Sequence, residues 1–454
     1  MMARETVTAI ILAAGKGTRM KSRLPKVLHR IAGRPMLGHV LSLVDEIPNA
    51  RSVLVVGPDM DEVATYAKGV APDTGIAVQA EQLGTAHAAL MAQSDISDRE
   101  GVVLVIFGDT PLMHPETLAG MVRTCRDEAE IVVLGFRPKD PAAYGRLVLD
   151  EEDALQKIVE FKDASEAEKG IALCNGGAMA VRAEYLFDLL SRVGNENAAG
   201  EYYLPDIVGL ARAEGLVCRV QEGEEEEVQG VNSRADLAMA EAVMQRRLRH
   251  KAMADGATLA DPASVYFSFD TVLGRDVTVG QNVVFGPGVR IADGATIKPF
   301  SHLEGATVAE KAEVGPFARI RPGSSIGAGA KIGNFVETKK AEIQEGAKVS
   351  HLSYIGDARV GAHANIGAGT ITCNYDGYNK FFTDIGAGAF VGSNSALVAP
   401  VKIGDGAYLG SGSVITKDVT PDALAFTRPK QVEKSGWASA FRAKNESASG
   451  KVKD

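Results

Sequence analysis

The sequence predicts a chain of two architectures. An α/β first half is built on a mostly parallel sheet, and a helix joins it to a C-terminal solenoid of short flat strands. Three observations carry this reading. Apolar residues recur every six positions from Leu273 to Ile415, short apolar runs alternate with helix-length segments in the first half, and Arg234–Met253 separates the two patterns.

The six-residue ladder runs Leu273, Val279, Phe285, Ile291, Ile297, Leu303, Val308, Val314, Ile320, Ile326, Ile332, Thr338. It continues through Ile343, Val349, Ile355, Val360, Ile366 and Thr372 to Ile385, Val391, Leu397, Ile403, Leu409 and Ile415. Nineteen of its 23 steps are six residues, a period that fits neither a helix nor an ordinary strand and so indicates a solenoid. In the first half, Val7–Leu12, Ser52–Val56, Val102–Phe107 and Ile131–Phe136 read as buried strands separated by helices. That alternation implies a parallel sheet whose ligands gather at the carboxyl ends of its strands. Arg234–Met253 is rich in Ala, Leu, Met, Arg and Glu, good helix formers. It reads as a connecting arm or as a cap on the first domain. The expected boundaries are 1–232, a helical arm over 233–255, a solenoid over 256–436 and a flexible polar tail over 437–454.

A length of 454 residues exceeds one core. The net charge of −9 argues against nucleic acid as a partner and leaves small anionic substrates open. Cys125, Cys174, Cys218 and Cys373 are scattered, without disulfide or metal spacing, which points to a reducing compartment. No signal-peptide pattern and no apolar run of about 18 residues is present, so the expectation is a cytoplasmic protein without a membrane span.

The loop after the first strand reads Leu12-Ala13-Ala14-Gly15-Lys16-Gly17-Thr18-Arg19-Met20, followed by Pro25-Lys26. A glycine-rich turn after a strand brings backbone N–H groups against phosphates. Met20 stands where a dinucleotide loop needs its third glycine, and no Walker A spacing is present. Taken together these residues resemble the signature of sugar-1-phosphate nucleotidyltransferases, and the resemblance extends through the first 232 residues. Gln79, Gln82-Leu83-Gly84-Thr85, Phe107-Gly108-Asp109, Tyr144-Gly145-Arg146, Val159-Glu160, Asn175 and Gly230-Val231-Asn232 come in the family's order. Two departures are Asn175-Gly176-Gly177, where the family has Asn-Thr-Gly, and Ser233 after Asn232.

The resemblance implies an α/β Rossmann-like nucleotidyltransferase domain. UTP and the nucleotide sugar would be held by Leu12, Ala13, Ala14, Gly15, Lys26, Gln79, Gly84, Thr85, Phe107, Gly108, Asp109, Gly145, Glu160, Asn175 and Asn232. It implies Mg²⁺ on Asp109 and Asn232. A sugar 1-phosphate oxygen attacks the α-phosphorus and pyrophosphate leaves, so the protein must mainly position and neutralise charge. Arg19 and Lys26 are the expected catalytic cations. Read without the family, Asp109 is equally a turn aspartate before Pro111.

The ladder resembles the left-handed parallel β-helix of hexapeptide-repeat acyltransferases, which implies about eight coils and a homotrimer with active sites between neighbours. Several nucleotidyltransferases carry such a β-helix for oligomerisation or regulation alone, and the repeat does not separate the cases. Departures from the repeat do. Glycine often follows a ladder residue, yet Lys298, Glu304, Arg321 and Lys339 occupy that place, and a thirteen-residue gap from Thr372 to Ile385 marks an extruded loop. Arg321-Pro322-Gly323, Asn334–Lys340, His351–Asp357 and Asn365–Gly377 resemble the acetyltransferase half of the bacterial bifunctional enzymes that make UDP-N-acetylglucosamine in two steps. Acetyl transfer to an amine needs a general base, and histidine suits neutral pH. The resemblance implies His351 as that base, with Glu337 a possible orienting partner. It implies Arg321, Lys339, Tyr354 and Asn365 around glucosamine 1-phosphate. Ala368, Asn374, Tyr375, Ser393, Ser411 and Arg428 would hold acetyl-CoA. The rival readings are a nucleotidyltransferase with a structural β-helix and a non-catalytic trimeric scaffold.

Overall fold

A computed structural model describes residues 6–96, 100–141 and 144–449. The chain divides into two compact units, Met1–Lys251 with Phe267–Phe269, and Ala252–Tyr266 with Asp270–Asp454. No helix among the described residues is long and apolar enough to cross a membrane.

The first unit is a nine-stranded sheet. Its main path runs Cys218–Glu222, Ile131–Phe136, Cys174–Arg182, Val102–Phe107, Val7–Leu12, Ala50–Val56, Gly75–Val78. Pairing is parallel except around Cys174–Arg182, which runs against both of its neighbours. Val7–Leu12 is buried throughout, as the central strand of a sheet covered on both faces must be. Successive side chains point to opposite faces. Ile10, Val53 and Val105 accordingly join one core, and Ile11, Leu54 and Leu104 the other. Each such side chain contributes roughly 1.5–3 kcal/mol relative to exposure.

The helix between the patterns spans Arg234–Ala254. It is no free connector, because Ala240 and Val243 are buried with Ile31, Met36, Leu112 and Val231. Gln245 bonds both the N–H and the C=O of Phe267, at 2.8 and 2.7 Å. The arm boundary expected at 233–255 therefore gives way to a helix mostly within the first unit.

The second unit is a parallel β-helix. Apart from Leu273, every ladder residue is buried, so the six-residue period marks the inward-facing position of each short strand. Partners in register lie one coil apart. Val279 pairs with Ile297, Ile297 with Val314 and Val314 with Ile332, and the five-residue steps are absorbed as coils one residue shorter. The extruded loop lengthens one coil, and the ladder closes again where Ile366 meets Val391. The two polar ladder residues are satisfied. Thr338 donates to Ser324 Oγ at 3.1 Å, and Thr372 donates to the Gly356 carbonyl at 3.0 Å.

Where the sequence reading expects a flexible tail over 437–454, Trp437–Ser449 forms a helix. Its Ala, Arg, Lys and Glu have good helix propensity, and Trp437 stacks on Phe441 one turn later at 5.1 Å. Residues 450–454 lie outside those described.

Candidate functional site

The first unit carries a cavity of about 240 Å³ at the carboxyl ends of its strands. Leu12, Ala13, Ala14, Gly15, Lys26, Gln79, Gly84, Thr85, Phe107 and Asp109 line it, joined by Gln82 and Glu201. Two glycines show why the loop has its sequence. Gly17 has φ +60°, and a Cβ there would stand 2.7 Å from Lys26 Cβ, so the loop passes Lys26 only without a side chain. A Cβ on Gly15 would meet nothing within 4 Å, which leaves open space beside that backbone. Gln79 is buried and donates to the Gly84 carbonyl at 3.0 Å, and Gln82 donates to the Ala14 carbonyl. The Gln79–Thr85 side of the cavity is thus stitched to the glycine loop.

Lys26 Nζ lies against the Asp109 carboxylate and 3.1 Å from Asn232 Oδ1. Asp109, on the turn that follows its strand, therefore points its side chain at the cavity. Asn232 is fixed from the start of the Arg234–Ala254 helix. Ser233 accepts the Asp236 N–H at 3.2 Å, and Asp236 accepts the N–H groups of Asn232 and Ser233 at 3.0 and 2.8 Å. The family departure at Ser233 is thus an N-cap serine. Two oxygens converging on an ammonium form a donor pair suited to Mg²⁺, which takes few protein ligands and shares the rest with phosphates and water. Among the described residues no group of three or more His, Cys, Asp or Glu forms a closed metal cage. Arg19 is not brought to the cavity lining, being exposed on the turn Thr18–Met20.

Gly145, Glu160 and Asn175 form a second cluster. Asn175 N–H donates to the Gly145 carbonyl at 2.9 Å, and a Cβ on Gly145 would stand 3.3 Å from Glu160 Oε1. Burial, with help from Asp163 and Asp206, pushes the Glu160 carboxyl above its ordinary range.

In the second unit, Asn334 pairs with His351 across one coil. Their side chains bond at 2.7 Å, with His351 Nδ1 facing Asn334 Oδ1. The amide oxygen only accepts, so Nδ1 carries a proton, and in the neutral ring the lone pair then lies on Nε2. Glu337, expected as the orienting partner, instead binds Arg321 at 2.7 Å. Three residues further along, in the next strand pair, Glu337 faces Tyr354, and Tyr354 Oη folds over Gly356, where a Cβ would stand 2.4 Å away. Lys339 pairs with Gly356 in the same register. Its ammonium is held below the ordinary lysine range, chiefly by the adjacent Lys380, with smaller contributions from desolvation and Arg321. Asn365 sits on the neighbouring face, in register with Lys348 and Phe390.

Of the residues expected at acetyl-CoA, Ala368, Ser393 and Ser411 fall along one edge. Asn394 N–H donates to the Ala368 carbonyl and Gly412 N–H to the Ser393 carbonyl, both at 2.7 Å, which stacks Ala368, Ser393 and Ser411 on successive coils. Arg428 lies beside Gly410, 5.4 Å over the Phe426 ring. Asn374 donates to Asp357 at 2.5 Å and roots the extruded loop, while Tyr375 is exposed. Burial raises the Cys373 thiol above its ordinary value.

Residues 9–169 match the MobA-like NTP transferase domain, and 270–305 and 382–417 match the bacterial transferase hexapeptide repeat. The chain is 67% identical over 437 residues to the bifunctional protein GlmU of Parvibaculum lavamentivorans, covering 96% of each. It is 59% identical to that of Rhodospirillum rubrum, over 98% of this chain and 99% of the relative. The chain belongs to the bifunctional GlmU family. In a GlmU family member the hexapeptide match makes the second unit a left-handed parallel β-helix.

Three residues in contact with these clusters were not singled out by the motifs: Glu201, Asn334 and Lys380. Asn334 was legible only through coil register, since it precedes His351 by the length of one turn. Lys380 sits in the extruded loop, where no period says which way the chain folds back. Replacing Lys380 with Ala is expected to raise the KM for glucosamine 1-phosphate about tenfold, a loss of roughly one charge-assisted contact. Steady-state acetyl-transfer kinetics check it, and an unchanged KM would remove Lys380 from the site.

Proposed function

We propose that the β-helix unit acetylates glucosamine 1-phosphate with acetyl-CoA. The α/β unit then transfers UMP from UTP to the N-acetylated product and releases pyrophosphate. The observation that carries the two-activity reading is the Asn334–His351 bond, in the same run of coils that gathers Arg321, Lys339 and Lys380. A purely structural β-helix has no use for a histidine held by an amide oxygen or for a cluster of like-charged cations.

In acetyl transfer, His351 Nε2 takes a proton from the sugar ammonium. The freed amine attacks the thioester carbonyl, the carbon–sulfur bond breaks, and coenzyme A leaves as the thiol or thiolate. Lys339, Lys380 and Arg321 bind the phosphate, whose negative charge relieves the repulsion between the two ammonium groups. In uridylyl transfer the attacking phosphate is already ionised and needs no base. Lys26 neutralises charge at the phosphates, and the glycine loop offers its N–H groups to them. Asp109 and Asn232 would hold Mg²⁺, which would supply Lewis-acid neutralisation of the phosphoryl oxygens. Thiol release from acetyl-CoA with glucosamine 1-phosphate, and pyrophosphate release from UTP with the acetylated product, test the two activities on the purified protein. Absence of thiol release would leave a nucleotidyltransferase with a structural β-helix.

A homotrimer is supported by an exposed column on the β-helix. Phe300, Phe317 and Phe335 stack at 4.9 and 5.3 Å, with Leu352 next in line beside His351. All four hold positive φ, between 50° and 60°, where bulky residues are rare. Large apolar side chains kept exposed at such corners mark an interface. Phe317→Glu is expected to convert the trimer to monomer in sedimentation analysis and to depress acetyl transfer while sparing uridylyl transfer. A persistent trimer would place the interface elsewhere. Work in the cytoplasm is supported by four free cysteines.

A further inference from the structure

Among the described residues the largest fully buried side chain is a cation, Arg146, with 1% of its surface exposed. A buried guanidinium ordinarily pairs with a carboxylate. Among the described residues Arg146 has none. Its Nη1 donates to the Tyr144 carbonyl, its Nε donates to the Lys169 carbonyl at 3.3 Å, and Nη1 also approaches Cys174 Sγ at 3.8 Å. The guanidinium lies 5.4 Å over the Phe161 ring.

The identity of these neighbours is informative. Tyr144 precedes Gly145, Phe161 follows Glu160, and Cys174 precedes Asn175. In the strands, Arg146 pairs with Val159 on one side and with Cys174 on the other. Each side-chain contact except that to Lys169 therefore falls on the chain neighbour of a residue expected to hold the sugar. Three successive segments of the chain, at Tyr144, Phe161 and Cys174, meet on one planar group.

We propose that Arg146 is a positioning residue for the sugar 1-phosphate, acting through Gly145, Glu160 and Asn175 and touching neither sugar nor nucleotide. The inference rests on the nucleotidyltransferase reading of the first unit. The flat guanidinium gives directional in-plane donors to two carbonyls and a face to Phe161, a combination no ammonium reproduces. Arg146 stands outside the lining of the cavity that joins the glycine loop to Gln79, so UTP binding does not depend on it.

The test compares Arg146→Lys and Phe161→Leu with the unaltered protein in uridylyl transfer. Arg146→Lys is expected to raise the KM for N-acetylglucosamine 1-phosphate at least tenfold, with the KM for UTP and the rate of acetyl transfer each within twofold. Phe161→Leu keeps the buried charge and its carbonyl bonds, and is expected to move the same KM about threefold. It decides the matter alone if Arg146→Lys does not fold. Equal rises in both KM values, or full rescue by lysine, would reduce Arg146 to a general structural role and overturn the proposal. If the unaltered protein failed to transfer UMP to the sugar phosphate, the underlying reading of the site would fall instead.

Discussion

Replacing His351 with Ala is expected to lower acetyl transfer by about 10²–10⁴-fold, the usual contribution of a positioned general base. Uridylyl transfer should stay within twofold, because the first unit holds its own cavity and cation centre. Asn334→Ala gives the sharper version. It leaves the imidazole in place and removes only the acceptor that keeps the proton on Nδ1. Loss of that orientation is expected to cost about 10–100-fold in kcat with little change in either KM. Glu337→Gln should instead act on the KM for the sugar phosphate, since Glu337 holds Arg321. If Glu337→Gln lowered kcat and Asn334→Ala did not, the orienting role would belong to the carboxylate.

The reciprocal result is expected at the other centre. Asp109→Ala should lower uridylyl transfer by about 10²–10³-fold, comparable to losing one preorganised charge contact at a phosphoryl group, with acetyl transfer unaffected. Lys26→Ala should cost a similar amount for a different reason, as it removes the ammonium that both oxygens face. Metal dependence separates the two. Asp109→Asn retains a neutral oxygen and should recover part of its rate at raised Mg²⁺ concentration, whereas Lys26→Ala should not. Identical Mg²⁺ titrations for both variants would argue that Asp109 serves only as the counter-ion of Lys26.

The parts of this molecule that could be read from its sequence are those in which a local pattern and a global position coincide. The inward ladder is such a part, because a residue every six positions must face the axis whatever the coils do sideways. The glycine loop is another, since Gly17 is required where the chain passes Lys26. Contacts between coils are different. Whether His351 meets Asn334 or Glu337 depends on a shift of three residues in coil register, which five-residue steps make hard to count by eye. The side-chain direction of Arg19 and the fold-back of Lys380 depend on irregular segments, where neither period applies. At the C-terminus, polar composition pointed to a flexible tail, while the helix propensity of the same residues gave Trp437–Ser449 a regular form.

The box formed by Ser233 and Asp236 gives the linker helix an economy of parts. The carboxylate that starts a helix also holds the main chain of Asn232. A helix end is ordinarily its most restless turn, a poor mount for a group that must stay aligned with Lys26. Here the same two side chains quiet that turn and hold the Asn232 main chain. Wear at the helix start would therefore show first as lost alignment in the adjoining chemistry, before any loss of the fold itself.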